Sequence, residues 1–156
     1  MKKIPDHLIL QLEDIKQSLY ITSYSFMQNE NDALEIVSQT IFIILKKYKQ
    51  LKNPQYFKTW ATRILINECK KELKKKKTTD VKSDIEIIVE DISYLPLHEA
   101  ISQLPSDLRI LVELKYFQDY TLKEISYMFD KPITTISSQL KKALQLLKLE
   151  LEVEDE

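Results

Sequence analysis

Apolar residues recur along this chain at intervals of three and four, the period of a helix packed on one side. From Ala33 they stand at Ile36, Val37, Ile41, Ile44, Leu45 and Tyr48, behind Asn31 and Asp32 as capping residues. An earlier helix is predicted from about Asp6 to Gln28. Asn53-Pro54 breaks the pattern, and a further helix follows with Phe57, Trp60, Ala61, Ile64, Leu65 and Leu73 on its apolar side. These elements predict one small helical domain over residues 1–77. Residues 78–94, rich in polar and β-branched side chains, read as a linker, with a short ordered piece around Ile85 to Val89 left open.

Helical spacing returns at Leu97, Ala100, Ile101 and Leu104, restarts after Pro105-Ser106-Asp107, and runs from Leu108 to Phe117. Next comes a helix from Leu122 to Phe129, a break at Asp130-Lys131-Pro132, and a longer helix from about Thr134 with Ile136, Leu140, Ala143, Leu144 and Leu147 inward. Two helices about so short a turn form a helix-turn-helix pattern, in which Asp130 must take the left-handed conformation. A plain helical hairpin has the same apolar spacing. Its second helix would usually expose paired charges, whereas this one offers Thr134, Thr135, Ser137, Ser138, Gln139, Lys141 and Lys142, groups suited to phosphates and base edges. The whole reads as an all-α protein of two small helical domains, 1–77 and 95–156, joined by a flexible linker.

Composition narrows the chemistry. There is no glycine, which argues against loops that cradle phosphates, and one cysteine with two histidines makes no metal-ligand cluster. No catalytic constellation is visible, and no enzyme activity, metal, cofactor or small-molecule substrate is expected. No apolar run approaches the ~18 residues that span a bilayer, so membrane insertion is not expected and a cytoplasmic location is. The net charge of -1 conceals segregation: residues 46–82 carry 13 basic and 3 acidic side chains, a block of +10. Such a block suits a polyanion, through release of condensed counterions, though a solvated lysine-rich face looks the same in sequence.

Two separated segments then match one family. Asp32-Ala33-Leu34-Glu35-Ile36-Val37-Ser38-Gln39-Thr40-Ile41, followed by Phe57, Trp60, Arg63, Ile64 and Asn67, resembles region 2 of the extracytoplasmic-function (ECF) subgroup of bacterial sigma factors. Leu104-Pro105, Tyr116-Phe117, Thr121, Glu124-Ile125-Ser126 and Ile136 to Ala143 resemble region 4. Leu34, Gln39 and Gln139 depart from the family's usual residues.

The resemblance implies a dissociable subunit that brings core RNA polymerase to promoter DNA, region 2 reading and melting the -10 element and region 4 reading the -35 element. It implies that Lys58, Lys70, Lys71, Lys74, Lys75, Lys76 and Lys77 meet backbone phosphates while Trp60, Arg63 and Asn67 face the opening strand. Trp60 is equally readable as a core residue, and Cys69 as an inert thiol. Thr134, Thr135, Ser137, Ser138, Gln139, Lys141 and Lys142 then belong to the groove-reading helix. Asp32, Glu35 and Gln39, without a basic partner among them, are the expected polymerase contacts. An anti-sigma partner is a further expectation, as is folding back of the acidic linker and tail onto the basic block. A stand-alone helix-turn-helix regulator and a helical adaptor protein remain as alternatives.

Overall fold

Seven α-helices and three short irregular turns make up the described residues, which contain no strand. The computed structural model describes residues 3–79 and 96–149, with 77–79 described in their backbone only. The region read as linker beyond Thr79, and the acidic tail 150–156, lie outside the described residues, as do the ordered piece at Ile85 to Val89 and the suggested fold-back.

Helix α1 spans Asp6–Met27 and buries Leu8, Ile15, Leu19, Thr22, Ser23 and Phe26 on one stripe. It ends at Gln28, which takes the left-handed conformation at φ 51°. Helix α2, Glu30–Lys47, begins earlier than the sequence suggested. Its cap is Asn29, whose side chain accepts from the Asp32 amide at 3.0 Å, and not Asn31 or Asp32. Glu30 and Asp32 fall in its first turn, where acids complement the helix dipole. Asn53 caps a single 3-10 turn, Pro54–Tyr56, that leads into α3, Phe57–Thr79. Helix α3 thus continues two residues into the stretch read as linker. Its buried side includes Ile66 and Cys69 beyond the expected Phe57, Ala61 and Leu65, while Trp60, Ile64 and Leu73 are half-buried.

In the second half, α4 (Leu97–Gln103) and α5 (Ser106–Val112) each follow a proline. Helix α5 widens into a π-helical turn, Glu113–Phe117. Such a turn inserts a residue into the helical register. The chain then enters α6, Leu122–Phe129, through a capping box: Thr121 accepts from the Glu124 amide and the Glu124 carboxylate accepts from the Thr121 amide, each at 3.1 Å. Helix α7 spans Ile133–Leu146.

The two halves are not held apart. Helix α1 packs on α5 and the π-turn, and α3 packs on α6, so that buried residues from both halves form one continuous core. Phe26 of α1 meets Phe129 of α6 with ring centroids 6.5 Å apart. Arg109, buried on α5, donates to the Ser25 and Phe26 carbonyls at the end of α1 and to Leu104 O in its own half.

Candidate nucleic-acid and polymerase interfaces

Helices α6 and α7 form the helix-turn-helix. Asp130 ends α6 at φ 52°, ψ 47°, the left-handed geometry that Asp tolerates better than most residues other than glycine. The turn is closed by Lys131 N donating to Ser126 O at 3.1 Å, and by the Ser126 hydroxyl donating to Lys131 O. Pro132 then starts α7 without a side-chain cap, and no acid stands in its first turn to oppose the positive dipole end. Ile133, Ile136, Leu140 and Leu144 hold α7 against the core, leaving a surface groove of about 710 Å³ lined by Thr134, Ser138, Lys141, Lys142 and Gln145 among others.

Of the residues expected on this face, Thr134, Ser138, Lys141 and Lys142 are exposed and Thr135 and Gln139 half-buried. Ser137 is the exception. It is only 3 % exposed, because it lies one turn after Ile133 and one before Leu140, on the stripe that packs inward.

On α3, Trp60, Arg63, Asn67, Lys70 and Lys74 follow one another at helical spacing and form a single stripe. Trp60 is half-buried, its ring tilted 43° against Phe57 at 6.1 Å, so it packs on the core edge while keeping one part exposed. Asn67, Lys71, Lys74 and Lys75 are exposed, and Lys71 approaches Glu68 at 3.9 Å. Lys77 lies outside the described side chains. Three cations of this surface rest on rings from the second half: Lys58 over Tyr120 at 5.4 Å, Arg63 over Tyr127 at 4.5 Å and Lys70 over Phe129 at 4.8 Å. Burial pushes the Lys70 ammonium below its ordinary pKa, with Lys131 adding to the same direction.

The expected polymerase face differs in one respect. Asp32 has a basic partner, an ion pair with Lys76 on α3, which reaches back over the start of α2. Glu35 and Gln39 are exposed. Beside them, unnoticed in the sequence, Phe42 is 59 % exposed and lines a groove of about 390 Å³ with Ser38, Gln39, Ile43 and Glu68. Phe42 interrupts the polar face of α2, and that departure from the amphipathic pattern was the available signal. The loop before α3 was also passed over. Leu51, Lys52, Asn53 and Tyr56 border a cavity of about 570 Å³ with Lys123, Glu124 and Tyr127 of α6.

Comparison with known proteins decides what such a surface belongs to. The family model described as Sigma-70 region 2 matches residues 13–79, and that described as Sigma-70, region 4 matches residues 94–147. Over 159 aligned residues the chain is 30% identical to RNA polymerase sigma factor SigV of Bacillus subtilis (strain 168), covering 95% of this chain and 93% of that protein. The chain belongs to the sigma-70 family, in its ECF subgroup. It is a sigma factor that binds core RNA polymerase and directs promoter-specific initiation. RNA polymerase sigma-H factor of Pseudomonas aeruginosa is a more distant relative, 20% identical over 143 residues, which cover 78% of this sigma factor and 74% of that one. The co-crystal structure of sigma factor RpoE with anti-sigma factor NepR from Bartonella quintana has the same fold. Its TM-score is 0.75 at 19% identity, covering 94% of this chain and all of that one. No helix among the described residues of the sigma factor is long and apolar enough to cross a membrane.

Proposed function

We propose that the sigma factor divides its promoter contacts between its two halves. Residues 1–77 form the unit that engages the polymerase clamp and the -10 element, 78–94 connect it onward, and 95–156 form the unit that reads the -35 element. Helix α7 enters the major groove with Thr134, Ser138, Lys141 and Lys142 toward DNA. Gln139 offers its amide to an adenine edge, and Thr135 supports the backbone contact. Ser137 serves packing. The α3 stripe of Trp60, Arg63, Asn67, Lys70 and Lys74, flanked by Lys58, Lys71, Lys75, Lys76 and Lys77, takes the opened strand, because cations and an aromatic edge hold an unpaired strand by charge and stacking. Glu35 and Gln39 contact the clamp together with Phe42, and Asp32 does so from its pair with Lys76.

The observation that carries this reading is the α7 face: an uncapped, acid-free helix start followed by exposed hydroxyls and lysines. The protein acts as a non-catalytic specificity subunit in the cytoplasm. Because the structurally similar RpoE is captured with an anti-sigma factor, a protein of that kind is the proposed negative regulator here.

Run-off transcription from a promoter library, with purified core polymerase, tests the assignment. Transcripts that depend on the sigma factor are expected to disappear when Lys74, Lys75 and Lys77 are replaced by alanine, which leaves the Lys76–Asp32 pair in place, while association with core persists. Undiminished transcripts from that variant would remove the α3 lysines from promoter DNA.

A further inference from the structure

The seam between the two halves, where α1 meets α5 and α3 meets α6, leaves a space that packing does not close. The loop before α3 stops short of α6. Between them lies the cavity of about 570 Å³, bordered by Leu51, Asn53 and Tyr56 on one side and by Lys123, Glu124 and Tyr127 on the other. That volume is in the range of sites that take a small organic ligand.

Each half contributes an aromatic ring. Tyr56, on the 3-10 turn, is 62 % exposed, and Tyr127, on α6, is 42 % exposed. The Arg63 guanidinium lies 4.5 Å from the Tyr127 ring centroid and takes one face of that ring, which leaves the other for a planar ligand. Stacking on such rings holds a nucleobase, because every base has a π-face.

Each half also contributes a cation. Lys52 and Lys123 are exposed at the border of the cavity, and neither has an acidic partner among the described residues. The carboxylate beside them, on Glu124, is committed to the fold: it accepts from the Thr59 hydroxyl at 3.0 Å and from the Thr121 amide at 3.1 Å. Two ammonium groups, one from each side, suit a ligand with several negative oxygens, such as a chain of phosphates.

The polar groups of the wall select the base. A carboxylate has about four acceptor positions, so Glu124 has room beyond its two bonds, and a base edge laid against it must donate. Guanine does so with N1–H and the N2 amino group side by side. Adenine, cytosine and uracil each put an acceptor next to the donor. Asn53 accepts from Gln55 N at 3.1 Å through Oδ1, which keeps its Nδ2 as a donor toward the guanine carbonyl.

We infer that this cavity is a binding site for a free guanine nucleotide carrying more than one phosphate. Tyr56 and Tyr127 hold the base, Glu124 and Asn53 read its edge, and Lys52 and Lys123 take the phosphates. Nothing in this assignment depends on how α3 or α7 meets promoter DNA. Because the walls come from both halves, the bound nucleotide adds a bridge across the seam.

The test is isothermal titration calorimetry of the full chain with GTP, ATP, GMP and inorganic triphosphate. GTP is expected to bind at a single site about tenfold tighter than each of the other three. It is also expected to raise the unfolding temperature, as a ligand of the native state alone does. Lys52→Ala and Lys123→Ala should each weaken GTP about tenfold, the loss of one hydrogen bond to a charged group. Glu124→Gln keeps the α6 capping box, where glutamine also serves, and is expected to bring GTP and ATP to equal affinity.

Equal affinity of the parent for all four ligands would overturn the inference. So would the absence of both heat and thermal stabilisation with GTP at millimolar concentration. GTP binding that survives both lysine substitutions but is lost from Lys71→Ala combined with Lys74→Ala would put the nucleotide on the α3 lysines, and would overturn it as well. The promoter contacts are read from transcripts, so the two assignments fail separately.

Discussion

Lys141 and Lys142 are exposed on the outward side of α7 and have no acid in the first turn of the helix to neutralise it. If both lie on phosphates in the promoter complex, replacing both with alanine removes two released counterions. The slope of log affinity against log salt then becomes shallower by about 1.8, from roughly 0.9 per phosphate contact. At 0.15 M salt the same relation gives a loss of about 30-fold, or about 2 kcal/mol. Between 50 and 200 mM the ratio of parent to variant affinity should shrink about twelvefold. Fluorescence anisotropy of the holoenzyme on a library-selected promoter, titrated across that range, reads both quantities. Ser137→Ala is the internal control, since a side chain 3 % exposed cannot hold a phosphate. Its salt slope should match the parent's. An unchanged slope for the double lysine variant, or a loss equal at every salt concentration, would refute the placement of these lysines on the DNA backbone.

Two further expectations concern the fold. Asp130→Val, which puts a β-branched side chain at φ 52°, should lower stability by about 1–2 kcal/mol in urea unfolding, whereas Asp130→Gly should stay near the parent because strain relief and added chain entropy oppose each other. Burial pushes the Cys69 thiol up to about 12, so the folded state keeps its proton where the unfolded chain, near 9, releases it. That contribution is present below pH 9 and lost as pH rises toward 12, by about 1.4 kcal/mol at pH 10. Cys69→Ala should lack this component of the alkaline decline in unfolding free energy, and an identical decline would contradict it.

Local chemistry was readable where it was dense. The α6 boundaries, the left-handed Asp130 and the inward residues of α7 were all legible because a capping box, a proline and a strong apolar period coincide within a few residues. Ser137 was misplaced because its hydroxyl suggested solvent, although its position between Ile133 and Leu140 put it on the packed stripe. Asn29 was missed as the α2 cap because Asn31 and Asp32 offered the same chemistry closer to the apolar run. The seam was illegible for a different reason. Arg109, Gln118 and Tyr120 make their defining bonds with residues 58 to 100 positions away, and nothing in their immediate neighbours marks them as partners of α1 or α3. Arg109 is the one basic side chain among residues 83–114, which carry seven acidic ones, and that setting does not point to α1.

That seam also bears on how the chain folds and survives in the cell. Contacts such as Ser18 with Gln118, 100 residues apart, can form only after each half has built its own helices, so docking of the halves is expected as the last and slowest step of folding. Because Phe26 and Phe129 belong to one core, parting the halves exposes apolar surface on both. A chain whose halves part would therefore be safest from proteases when closed and most vulnerable while the two are separated.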